Sequence, residues 1–160
     1  MSGIISDNQG RSSGLVKAAA GGGKVLQVVT DTDVTNRTTT SSSYVTIEGM
    51  PSVNITPAST SNDILLLAGF SHAEMTGGDS FITIFRDSTN LATGSAASFS
   101  QFQHVGTNYR HALGGTAFLD SPSTTSQITY TIQIKSDGSN DYRYNTNGGT
   151  VSLVAIEIGA

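Results

Sequence analysis

A chain of 160 residues fits one domain of ordinary size, since single cores span about 50 to 200 residues. Charged residues are only 12% of it, and 22 Ser with 21 Thr carry the polarity instead. A net charge of -4, with Lys and Arg scattered from Arg11 to Arg143, argues against nucleic acid; the absence of Cys excludes disulfides and thiolate metal sites; and no apolar run nears the roughly 20 residues that span a bilayer.

Residues 1–24 form the first unit. Gly3, Gly10, Gly14, Gly21, Gly22 and Gly23 make ordering costly, and the apolar patches Ile4-Ile5 and Leu15-Val16 are too small for a core. The segment reads as a Gly-rich arm, fixed only where a partner covers it. No signal-peptide pattern occurs in residues 1–20, so a secretory route is not expected.

From residue 25 to 160 short β-rich runs alternate with turn residues, the pattern of an all-β sandwich. Thr38 to Ser43 reads as a surface loop or edge strand between Val25–Val29 and Tyr44–Ile47. Ile64 to Ala68 and Phe81 to Phe85 are apolar on both faces, which places them inside the sandwich or against another subunit. Ile128, Tyr130, Ile132 and Ile134 alternate with Thr129, Thr131, Gln133 and Lys135, one set facing the core and the other water. In the last run Leu153 and Ala155 sit opposite Val154, Ile156 and Ile158, so this strand must be central or covered. Asn147-Gly148-Gly149 predicts a tight hairpin joining Tyr142–Asn145 to that strand.

Catalytic chemistry is poorly supplied. His72, His104 and His111 accompany many serines, but no Gly-x-Ser-x-Gly elbow occurs, and three Glu offer little for paired-carboxylate work. Asp137 to Asp141 resembles the start of a calcium loop but lacks its later ligands, and Asp31-Thr32-Asp33 reads as a solvated loop. No enzyme, cofactor or metal site is expected. Tyr109, Tyr142 and Tyr144 lie in polar contexts where rings stack on sugars, or pair across a hairpin.

The stretch from Tyr44 to Leu66, with Ile55-Thr56-Pro57 before a Ser/Thr-rich turn and a long apolar strand, then Phe81 to Thr89 and the closing strand, resembles a group of tailed-bacteriophage virion proteins. Those are trimeric jelly rolls related to the tumour-necrosis-factor and complement globular-head folds. Ser6 to Ala18 is similar to their N-terminal attachment arms. The resemblance implies an antiparallel jelly-roll β-sandwich preceded by the extended arm. It implies a homotrimer and a location on the virion, at the capsid surface or tail. The function expected is that of a capsid decoration, or cement, protein binding the major capsid protein or another virion protein. Ile4, Ile5, Arg11, Leu15 and Val16 would grip the shell, and Phe81, Phe85, Leu153 and Ala155 are candidates for the trimer interface. The alternative is a receptor-binding fibre tip or head fibre whose loops, with Tyr109, Tyr142 and Tyr144, hold a host surface glycan. A 24-residue arm leaves little room for a fibre shaft, which favours decoration.

Overall fold

The computed structural model describes residues 23–72, 78–104, 112–137, 142–144 and 149–160. The attachment-arm residues Ile4, Ile5, Arg11, Leu15 and Val16, and with them Tyr109 and His111, lie outside this set. The described residues are all-β, without helix.

The strands are β1 (Lys24–Asp33), β2 (Arg37–Thr39), β3 (Ser52–Ile55), β4 (Asp63–His72), β5 (Gly78–Arg86), β6 (Thr89–Asn90), β7 (Ser100–His104), β8 (Ala112–Asp120), β9 (Ile128–Ser136), β10 (Tyr142–Tyr144) and β11 (Val151–Gly159). They form two antiparallel sheets. In the first, β11 lies between β1 and β4, β8 flanks the far side of β4, and β10 pairs with β2 and with the end of β4. In the second, the order is β3, β9, β5, and both β6 and β7 pair with the remaining side of β5.

Asn147 and Gly148 of the predicted hairpin turn lie outside the described residues, and among the described ones β10 does not pair with β11. Both β10 and β11 run antiparallel to β4, so they point the same way and follow one another along one side of it. The Asn-Gly-Gly signal is local, whereas β4 offers the long apolar partner that decides where the flanking strands go. Thr38 and Thr39 belong to edge strand β2, paired with Tyr142 and Arg143.

The core forms where the two inner faces meet. Ile64, Leu66, Ala68 and Phe70 of β4 and Val151, Leu153 and Ala155 of β11 join Ile82 and Ile84 of β5 and Ile128, Tyr130, Ile132 and Ile134 of β9 in one buried cluster. The alternation predicted for 128–135 is therefore observed, with the even-numbered set buried and its neighbours partly exposed. Phe99 packs on Phe118 with ring centroids 5.1 Å apart, linking the approach to β7 with the inner side of β8.

Candidate interaction surface

Polar pins fix the strands that build the surface. Glu157 faces inward from β11 and is 1% exposed, yet no cation pairs with it among its hydrogen-bond partners. Its carboxylate accepts from Asn62 Nδ2 (2.6 Å), Gln27 Nε2 (2.6 Å) and the Ala58 amide (2.7 Å), joining β11 to β1 and to the 56–62 loop. Burial alone would raise its pKa, but those donors together outweigh burial and hold the carboxyl below its ordinary value.

Two further carboxylates sit on β1. Asp31 accepts from the Ser52 amide at 2.9 Å, and Asp33 pairs with Arg37 Nε at 2.7 Å. The Arg37 hydrogen bond holds the Asp33 carboxyl below its ordinary value, against the opposing effect of burial. Asp31-Thr32-Asp33 is thus strand rather than the solvated loop expected. Asp33 is held by the nearby Thr35 amide and Arg37, whereas Asp31 also takes a donor, the Ser52 amide, from a distant part of the chain.

At the other side of the first sheet, Arg86 Nη1 donates to both oxygens of Asp120, and Tyr130 Oη donates to Asp120 Oδ2 at 2.6 Å. Burial pushes the Tyr130 phenol well above its ordinary pKa, with the Asp120 bond acting in the same direction.

With the inner faces and pins assigned, the outer face of the first sheet stands apart. Its registers align four strands into rows. One row is Val28, Ile156, Leu65 and Leu119; the next is Thr30, Val154, Leu67 and Ala117; the third is Thr32, Ser152, Gly69 and Gly115. Val25 lies beside Ile158 at the near end. None of these positions carries a charge. Val25 and Val28 are each 57% exposed, Leu119 53% and Leu67 38%. An uncharged surface over four adjacent strands, aliphatic across its first row and at three of four positions of the second, is the kind that marks a contact site.

The outer face of the second sheet differs. Gln133 and Lys135 of β9 lie beside Thr83 and Phe81 of β5. Lys135 Nζ stands 4.7 Å from the ring centroids of both Tyr44 and Phe81. Phe85 meets Tyr44 edge-on at 5.9 Å, and the Tyr44 hydroxyl donates to the Ala97 carbonyl at 2.7 Å. Thr83 is buried, its hydroxyl donating to Asn90 at 2.6 Å. The aromatic residues of β5 thus have cover within their own chain.

Of the expected interface set, Leu153 and Ala155 are corrected: both are fully buried in the core of their own chain. The sequence pattern separates the two sides of this strand correctly but does not say which is inner. The inner side goes to Leu153 and Ala155 because they share it with buried Glu157, leaving Val154, Ile156 and Ile158 outside. Phe81 and Phe85 are partly exposed and lie on the opposite sheet from the aliphatic rows. Of the ring candidates, Tyr144 is buried in β10, so it offers no surface for a sugar to stack on, and Tyr142 pairs with Thr39. Sequence reasoning missed Val28, Leu65, Leu67, Ala117 and Leu119 as one surface. They fall in three separate runs, and only the registers bring them together.

Compared with known proteins, the chain matches no family model and no curated protein.

Proposed function

We propose that this chain is a structural protein of a tailed-phage virion, a capsid decoration protein that associates with copies of itself as a trimer and grips the shell through residues 1–24. The observation that carries the reading is the uncharged aliphatic outer face of the first sheet. In a chain whose polarity is otherwise supplied by abundant hydroxyls, four strands contribute aliphatic neighbours in register, which a solitary soluble protein has no reason to keep exposed.

A jelly roll is the fold within which we place this face. Taking β1 with β2, β6 with β7, and β10 with β11 as interrupted single strands leaves eight in two sheets of four. Numbered afresh along the chain, their orders become 1-8-3-6 and 2-7-4-5. Such alternation between sheets along the chain is what two nested Greek keys require and supports that assignment. The self-association reading moves from Leu153 and Ala155 to Val154, Ile156, Leu65 and Leu67.

Deleting Met1 to Gly23 tests the attachment role. The truncated protein is expected to remain a soluble oligomer and to lose binding to empty capsids, with the full chain located on the shell by electron microscopy. Undiminished capsid binding by the truncated protein would contradict the arm mechanism, and density confined to a fibre tip would contradict decoration.

A further inference from the structure

Strand β1 follows directly on residues 1–23 and lies at the edge of the first sheet, where it pairs with β11 alone among the described residues. An edge strand at a chain end opens from its tip, so its ladder by itself is a weak anchor for anything attached there. Side chains supply the rest, and they divide β1 in two. Lys24, Val25 and Leu26 are all exposed. Lys24 and Val25 pair with Gly159 and Ile158, and Leu26 is the extra residue of a bulge before the register resumes with Gln27 opposite Glu157. Gly23 lies so close to Ile158 that a β-carbon would overlap its side chain, and Leu26 Cδ1 stands 3.3 Å from where a β-carbon on Gly159 would be. The tip of β1 thus rests only on the last residues of β11.

From Gln27 onward the strand is pinned. Gln27 Nε2 donates to the Thr56 carbonyl at 2.8 Å and to Glu157 Oε2 at 2.6 Å. Glu157 is held in turn by Asn62 and the Ala58 amide, and Asn62 Oδ1 accepts from the Ala160 amide at 3.3 Å, which ties down the end of β11 as well. Val29 packs on the core, and Asp31 and Asp33 accept from the Ser52 amide and Arg37.

We infer that residues 24–26 peel from β11 together with the arm, and that the contact of Gln27 with Glu157 is the stop at which the peeling ends. This rests on the attachment role proposed for residues 1–24 and names the device that joins the arm to the domain. Three residues at about 3.4 Å each add roughly 10 Å to the reach of the arm. The bulge already breaks the ladder at Leu26, so the tip opens without disturbing the pairs beyond it. A hydrogen bond to a carboxylate is roughly twice as strong as a neutral one, which is why the opening halts at Gln27 instead of running on to Asp33. Strand β11 stays in place because β4 pairs with its other side.

Amide hydrogen exchange of the full-length protein reads this boundary without any capsid. Wild type is expected to exchange fast at residues 24–26 and slowly over residues 28–33. Gln27→Leu removes both donors and should speed exchange over residues 28–30 by roughly tenfold to a hundredfold, the worth of one bond to a charged group, with β4 and β9 unchanged. Equal protection across residues 24–33 in wild type would overturn the peeling, and an unmoved boundary in Gln27→Leu would overturn the stop. A staple then asks whether attachment uses the opening. The chain has no cysteine and Val25 pairs with Ile158, so Val25→Cys with Ile158→Cys closes a disulfide across the segment that peels. Thr32→Cys with Ser152→Cys places the same link beyond the stop. Oxidation should weaken binding to empty capsids about tenfold for the first pair, reversibly on reduction, and leave the second unchanged. Equal binding by both oxidised pairs would overturn the part that peeling plays in attachment. A wild-type chain that ignores capsids would sink the attachment reading, while the exchange boundary would still support the stop.

Discussion

The two sheets present outer faces of opposite character. On the β3, β9, β5 sheet each aromatic ring has a companion within the chain: Phe81 lies under Lys135, and Phe85 meets Tyr44. On the β1, β11, β4, β8 sheet, Val28, Leu67 and Leu119 stand exposed beside Val154 and Ile156. The difference teaches that apolar content does not locate an interface. Phe81 and Phe85 are larger than any residue in the aliphatic rows, but their environment is already completed by their own chain. Incompleteness is the better guide.

Substitutions on neighbouring residues of β11 break the comparison most sharply. Leu153→Ala removes a fully buried side chain and should cost about 2 to 5 kcal/mol of fold stability in urea titration, with little change in association. Were Leu153 an interface residue, the loss would appear in the dissociation constant instead. Three positions along, Ile156→Lys should act the opposite way. It is expected to weaken self-association by about 2 to 4 kcal/mol, measured by sedimentation, while the single chain stays folded. Gln133→Lys on the other sheet serves as its matched control and should leave the association state unchanged.

Much of this architecture was legible in the sequence and the rest was not, for one physical reason. Periodicity reports which residues share a side of a strand, and it placed Ile128, Tyr130, Ile132 and Ile134 in the core and required the final strand to be central or covered, of which the sheet shows the first. It cannot say which side of a two-sided apolar strand turns inward, so Leu153 and Ala155 were assigned outward. The side was decided by long-range chemistry, since Glu157 finds its donors in residues 27, 58 and 62. Among the described residues, Tyr142–Tyr144 and the last strand, expected to pair with each other, both pair with β4 instead. Asp31 and Asp33, in a run that looks solvated, are held by Ser52 and Arg37.

Smaller effects sharpen the account of how the aliphatic face is held flat. Tyr130→Phe leaves Asp120 without a buried donor and should cost about 1 to 3 kcal/mol by thermal or urea unfolding. Glu157→Gln tests the pin beneath the near row through its pH dependence. The folded-state pKa is lowered, so the contribution of Glu157 is full above the unfolded value of about 4.3 and fades as pH falls through the lower folded value. The variant should therefore be less stable than wild type near neutrality and lose less on acidification. A constant difference between the two from neutral pH into strong acid would show that the carboxylate charge is not what the three donors stabilise. Lys135→Ala should have the least effect, about 0.5 to 1 kcal/mol, with association untouched.

The central claim is that copies of this chain cover one another's aliphatic sheet face. Sedimentation equilibrium of the full-length protein at micromolar concentration and neutral pH tests it most directly. The account predicts a particle of about 50 kDa, three times the 16.6 kDa chain, that falls to a single chain on Ile156→Lys. A stable 16.6 kDa species across that concentration range, with Val28, Leu67 and Leu119 left open to solvent, would contradict it.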